Sequence, residues 1–215
     1  MLKNLCKNLC KSSATPGRPV DKTKDEAIFI AARDLLLING IQSFTMESVA
    51  SKAGVSKATL YSRFSNREQL IQAVVLYQSD LLAIDLELQG TDDIYNTLLT
   101  FSVQLLEFIL SDPYQNLVRA LLSSPDISPE LLQQIYLHGP YNTHEKLVAW
   151  LMEAAQAGAL QNIQPECAEL FCGMLTGMNW VKISYHQPVD RSAEYIRQQA
   201  ERAVQSFLTL YRAPA

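Results

Sequence analysis

Apolar positions recur along this chain at intervals of three and four residues, and nowhere do they alternate strictly with polar ones as in a half-buried strand. The pattern predicts an all-α protein. Thr23, with Glu26 three residues on, reads as a reciprocal capping box. The helix it opens carries Ile28, Ala31, Ala32, Leu35 and Leu36 on one face and stops at Asn39-Gly40 as a left-handed cap would. Thr45 can cap a second helix of about two turns, with Phe44 and Val49 as its hydrophobic staple and Val49, Ala50 and Ala53 on the buried side. Gly54 can take a positive φ at a tight bend, Val55 plugs the angle, and Ser56 caps a third helix with Leu60 inward. Ser65 with Glu68 makes another capping box, opening a long fourth helix with Leu70, Ile71, Val74 and Val75 inward.

Past residue 90 the pattern becomes architectural. Thr91, Asp92 and Asp93 start a helix bearing Ile94, Leu98, Phe101, Leu105 and Phe108, and Asp112-Pro113 and Ser128-Pro129 are cap-plus-first-turn pairs for the next two. Gly139-Pro140 is expected to break the chain, and a helix through Trp150 ends at Gly158. Pro165 opens a further helix. The last runs from about Arg191 to Tyr211 on the stripe Ile196, Ala200, Ala203, Phe207 and Leu210.

Composition adds that 215 residues, 48% of them hydrophobic, suffice for a buried core. The most apolar stretch, IYNTLLTFSVQLLEFIL, is interrupted by Asn96, Gln104 and Glu107, so no membrane span is expected. Lys3, Lys7 and Lys11 break up every apolar patch at the N-terminus, so no signal-peptide core is expected there and the chain should stay in the cytoplasm. Cys6 and Cys10 fall in a tail, and Cys167 and Cys172 are five apart on a helix and so face different ways; all four read as reduced thiols, and no metal site or cofactor is expected.

The net charge of −4 conceals a gradient. Residues 1 to 70 carry eleven Lys or Arg against six Asp or Glu, a net +5, and the remainder is −9. A basic segment joined to an acidic one is the electrostatic footprint of polyanion binding. The Gly-Val-Ser joint between two short helices is then a helix-turn-helix. Lys57, Ala58, Thr59, Tyr61 and Arg63 are expected to face outward or along the rim of a helix of a size that enters a DNA major groove, followed by Asn66 and Arg67 as phosphate holders. The division this suggests is a flexible basic arm over 1–22, a DNA-binding domain over 23–70 and a larger helical domain over 71–215.

Residues 17 to 75, with GRP at 17 to 19 and TMESVASKAGVSKATLYSRFSNREQL at 45 to 70, resemble the DNA-binding domain of TetR-type transcriptional regulators. The resemblance implies phosphate contacts at Thr45, Tyr61, Arg63 and Arg67 and base readout by Lys57, Ala58 and Thr59, beside the Ser56 cap. It also implies a minor-groove arm through Arg18. Ser62 and Arg63 stand where many members have His or Lys, and Asn66 replaces a frequent Lys. The segment PECAELFCGMLTGM resembles the matching helix of the AefR-like and AcrR-like branch.

A ligand-responsive regulator is therefore the expected function: a repressor released from a palindromic operator in double-stranded DNA by a small hydrophobic effector. An activator of the same family and an architectural DNA binder without a ligand are the alternatives. Phe101, Phe108, Tyr141, Trp150, Met174 and Met178 are the candidate ligand-binding residues, because Met and aromatics suit adaptable apolar pockets. A homodimer is expected through Gly173 and Gly177, which would let another helix approach, and through Ile196, Ala200, Ala203 and Phe207. No catalytic residues are assigned: His138, His144 and His186 lack metal spacing such as HExxH, and neither GxSxG nor GxxxxGK[ST] occurs.

Overall fold

The computed structural model describes residues 22–83, 86, 93–123 and 127–213, with side chains from Lys24 onward. In chain order the helices are α1 (Lys22–Asp34), α2 (Met46–Lys52), α3 (Lys57–Tyr61), α4 (Arg67–Leu82), α5 (Ile94–Leu110), α6 (Asp112–Ser123), α7 (Pro129–Tyr136), α8 (Asn142–Gln156), α9 (Glu166–Thr176), α10 (Asn179–Ser184) and α11 (Ala193–Tyr211). The fold is all-α: among the described residues the only extended pairing is an isolated bridge between Leu160 and Arg212. No single described helix is long and apolar enough to cross a membrane. The chain divides into two compact units, residues to Ser79 together with 113–139, and 80–112 together with 140 onward.

In the first unit α1 buries Ile28, Phe29, Ala31, Ala32 and, just past its end, Leu36. Phe29 stacks on Tyr77 of α4 at 4.9 Å and meets the edge of Phe64 at 6.0 Å, a three-ring cluster that pins α1 and α4 together. The helix does not stop in a left-handed cap. It opens into one π-turn over Leu35–Asn39, and Gly40 takes φ 77°, ψ 171°, positive in φ but extended in ψ. The wider turn rotates the side chains on it, which leaves Leu35 half-buried and Ile38 exposed. The capping box expected at Thr23 and the helix start expected at Thr91 and Asp92 fall on side chains outside the described residues, as do Arg18, Cys6 and Cys10.

The expected break at Gly139-Pro140 is absent. α7 runs through a π-turn at Leu137–Tyr141 directly into α8. Widening the turn spares Pro140 the ring clash and the missing donor of an ordinary helical position. Gly139 is buried, and a Cβ there would lie 2.9 Å from Val75 Cγ1 of α4, so any side chain would push the two elements apart.

The second unit is built on long amphipathic helices. α11 packs most extensively on α5 and next on α9, which also meets α8. Their shared core holds Leu98, Phe101, Leu147, Trp150, Phe171 and Phe207, with Phe171 and Phe207 edge-on at 5.1 Å. Asp93 caps α5 through the Asn96 amide at 3.1 Å, and Ser128 and Ser192 cap α7 and α11 in the same way. Asp112 begins α6 within the helix rather than capping it, and its carboxylate pairs with Arg191. Gly158, at φ 77°, closes α8: the Ala159 amide donates to the Ala154 carbonyl and the Gly158 amide to that of Ala155.

Candidate nucleic-acid interface

Helices of seven and five residues are too short to persist on their own, so α2 and α3 need external support. At the start of α2 the Ser48 amide donates to Thr45 Oγ1 and the Thr45 amide to Ser48 Oγ, both at 3.0 Å. At its end the Gly54 amide donates to the Ser51 carbonyl at 3.3 Å and the Val55 amide to Ala50 at 3.0 Å, with Gly54 at φ 66°. This double bond pattern ends a helix and reverses the chain sharply, and it needs a residue that tolerates positive φ. Ser56 then caps α3, accepting from the Thr59 amide at 3.1 Å.

What the turn presents is a short helix with Leu60 buried beneath it and Ser56, Lys57, Ala58 and Tyr61 exposed, Thr59 half so. The Thr59 hydroxyl shares a 2.8 Å hydrogen bond with Ser56. Lys57 Nζ lies 3.1 Å from Glu47 of α2, an open surface pair in which the ammonium holds the Glu47 carboxyl below its usual range by hydrogen bonding and charge. Such a pair is weak and can be exchanged for another partner. Thr45 is exposed, and its hydroxyl keeps a proton to donate.

The arginines expected at phosphates are both turned onto the protein itself. Arg63 is largely buried, its Nε on the carboxylate of Asp25 in α1. Arg67 turns back onto the segment before α2, donating from Nε to the Phe44 carbonyl at 2.7 Å and from Nη2 to that of Ile41. Asn66 caps α4, accepting from the Gln69 amide at 2.8 Å, while Gln69 Oε1 accepts from the Ser65 amide. The cap is therefore Asn66, one residue later than the expected box of Ser65 with Glu68; Gln69 reaches back past it to the Ser65 amide and hydroxyl, and the cap occupies the Asn66 side chain. Val75 is half-buried, and Ala73 takes the inward place. Asp25 could have been suspected from the sequence: three residues before Ile28, it is an acid on the apolar face of α1.

In the second unit the candidate ligand-binding residues do not share one environment. Phe101 and Trp150 are core residues and Phe108 and Met174 are half-buried, but Tyr141 is 40% and Met178 64% exposed. The π-turn carries Tyr141 outward, and Met178 lies past the end of α9, so neither lines an interior. Ile196, Ala200, Ala203 and Phe207 are likewise not at a dimer surface: they are buried within the chain, where α11 packs on α5 and α9. Leu210, the last of that stripe, is exposed. Gly173 sits on the outer face of α9 with open space around it, whereas Gly177, at φ 49°, serves to end that helix. Among the described residues of this unit the large apolar side chains left exposed are Tyr141, Leu170, Met178, Trp180, Val181, Tyr185 and Leu210. Cys167 is buried, and burial lifts the Cys172 thiol to about 11. Among the described residues no three His, Cys, Asp or Glu gather to hold a metal ion.

Comparison with known proteins accounts for both units. Residues 28–74 match the family described as bacterial regulatory proteins of the tetR family, and residues 96–213 match the C-terminal domain of AefR-like transcriptional repressors. The HTH-type transcriptional regulator YvkB of Bacillus subtilis is 27% identical over 161 residues, which is 74% of this chain and 81% of that protein. A TetR-family regulator from Mesorhizobium loti superposes with a TM-score of 0.70 at 23% identity, covering 91% of this chain and all of the other. The flavonoid-responsive regulator FrrA does so with 0.62 at 28% identity and the same coverage. The chain belongs to the TetR family of transcriptional regulators, which bind DNA through this helix-turn-helix and are not enzymes, and its second domain is of the AefR-like kind.

Proposed function

We propose that this chain is a cytoplasmic repressor that binds a palindromic operator as a homodimer and is released by a small hydrophobic effector. The observation that carries the DNA-binding part is the capped and exposed α3, which offers Lys57, Ala58 and Thr59 to base edges behind the Gly54 turn. Lys57 can donate to guanine, and the threonine methyl can meet thymine. Thr45 and Tyr61 act as phosphate donors beside them, and Arg18 as the minor-groove contact of the arm. In this division residues 1–22 act as the arm, 23–70 as the DNA-binding domain and 71–215 as the effector and dimer domain.

Repression is favoured by the match to AefR-like repressors, and an effector by the likeness to a regulator described as flavonoid-responsive. A flat, largely apolar effector held near Phe101, Phe108, Trp150 and Met174 is the reading that these support. Such a molecule shifts the protein only by its differential affinity, so it must bind free protein more tightly than DNA-bound protein. The second copy would sit on the face of Leu170, Gly173, Trp180 and Tyr185 rather than on the inward stripe of α11.

Selection of bound duplexes from a random-sequence pool tests the proposal. The expected product is a palindrome with half-sites about 34 Å apart. Asymmetric or unselected DNA would remove the operator reading, and a monomer by light scattering at micromolar concentration would remove the dimer.

A further inference from the structure

Arg63 lies two residues past α3, a helix whose orientation rests on the Gly54 turn, an exposed Lys57–Glu47 pair and little buried surface. α3 has five residues, of which Leu60 alone is buried, and Phe64, three residues past its end, continues that one buried line. A helix resting on a single line can roll about it, and the Ser56 cap, which bonds only to α3 itself, does not prevent this. Arg63 lies beside that line. Its Nε sits on Asp25 Oδ1 in the first turn of α1, and its Nη1 lies 3.4 Å from the Thr59 carbonyl.

We propose that Asp25 and Arg63 are positioning residues for DNA recognition: their buried ion pair fixes the roll of α3, and with it the presentation of Lys57 and Thr59, and Arg63 does not itself hold a phosphate. This rests on the DNA-binding reading above. The Asp25 side chain is 5% exposed and that of Arg63 16%. Asp25 Oδ2 is buried with no partner among the described residues, so Arg63 is what compensates this carboxylate. Drawing Arg63 away to a phosphate would leave an uncompensated buried charge, an equilibrium cost on the order of a hundred- to thousandfold. One exposed pair with a phosphate returns much less. The guanidinium therefore stays on Asp25 when DNA binds.

The test uses the full chain, duplexes selected from a random pool and a scrambled duplex, with circular dichroism confirming the fold of each variant. Asp25→Asn and Arg63→Gln should each lose about tenfold on the selected duplex, the scale of one lost base contact. Neither should change scrambled binding or the dependence on salt, and the double variant should be no worse than either single. If the singles unfold, Asp25→Leu with Arg63→Met replaces the pair by apolar side chains that can pack, and the wild-type salt slope should remain. The proposal is overturned if Arg63→Gln, or the apolar double variant, weakens both duplexes alike and flattens the slope of log affinity against log salt by about one. It is equally overturned if Asp25→Asn lowers only the melting temperature. Should the wild-type chain retain no duplex at all, the DNA-binding reading fails first, an outcome separate from these.

Discussion

The two ends of this molecule hold their helices by opposite means. α2 and α3, of seven and five residues, depend on bonds at their termini, whereas α5 and α11, of seventeen and nineteen, depend on broad apolar faces. The difference suits each task. A recognition helix must leave most of its surface bare for DNA and so retains one buried line, and side-chain caps, the Gly54 turn and arginine clamps supply what packing cannot. Under the proposed function the other domain takes up a small hydrophobic molecule, which needs an apolar interior, and long helices with aromatic faces supply one.

The comparison breaks most readily at Phe207. It is fully buried against Phe171, so Phe207→Ala should cost about 3–5 kcal/mol in urea unfolding. A variant with wild-type stability but weakened self-association would instead return Phe207 to an interface and undo the account of α11 as a core element.

How much of this could be read from the sequence obeys the same division. The caps at Thr45, Ser56 and Ser128 and the turn at Gly54 depend on neighbours within five residues, and each appears where the pattern places it. Local rules still admit rival registers. Ser65 with Glu68 and Asn66 with Gln69 both match the capping-box spacing, and the structure caps the helix at Asn66 while Gln69 reaches back to Ser65. Contacts far apart in sequence were not legible: Asp25 meets Arg63 across 38 residues, and Arg67 reaches Ile41 across 26. The stripe Ile196, Ala200, Ala203, Phe207 is readable as apolar, but an amphipathic period does not say whether its partner lies in the same chain or another. Gly139-Pro140 carries every sign of a stop, and a π-turn absorbs it.

The next sharpest contrast is at Arg67, where a residue of the basic segment acts as structural support. Its guanidinium donates to two carbonyls ahead of α2, and hydrogen bonds from charged groups contribute about 1.5–3 kcal/mol each. Arg67→Ala should lower the unfolding free energy by about 2–3 kcal/mol, since part of the loss is recovered by water reaching the carbonyls. The salt dependence of DNA binding should remain that of wild type. A flattened salt slope with unchanged stability would place Arg67 on a phosphate instead.

A smaller effect is expected at the cap of α3. Ser56→Ala removes the acceptor for the Thr59 amide and the partner of the Thr59 hydroxyl, at a cost of about 1 kcal/mol. Amide exchange should locate that loss in residues 57 to 61 while α5 and α11 keep their protection. Uniform loss of protection would mean that α3 is no separate unit and that the contrast between the two ends is overstated.

The smallest effect concerns Glu47, and its direction is the informative part. Lys57 holds the Glu47 carboxyl below its usual range, so the pair supports the folded protein above the ordinary carboxylate range and loses that support as pH falls through the lowered value. Both groups are exposed to water, so solvent screening keeps the support slight. On DNA the balance reverses. Under the proposed base readout Lys57 must leave Glu47 to reach a base edge, and the carboxylate left behind would face a polyanion of its own sign. Glu47→Gln removes both penalties, so operator affinity should rise by about two- to fivefold at low salt, with little change in the melting temperature. The gain should shrink as salt is added, because screening weakens both the competing pair and the repulsion. A loss of affinity in Glu47→Gln would show that Glu47 orients Lys57 for readout, and the exposed face of α3 would then be pre-arranged by charge as well as by its caps.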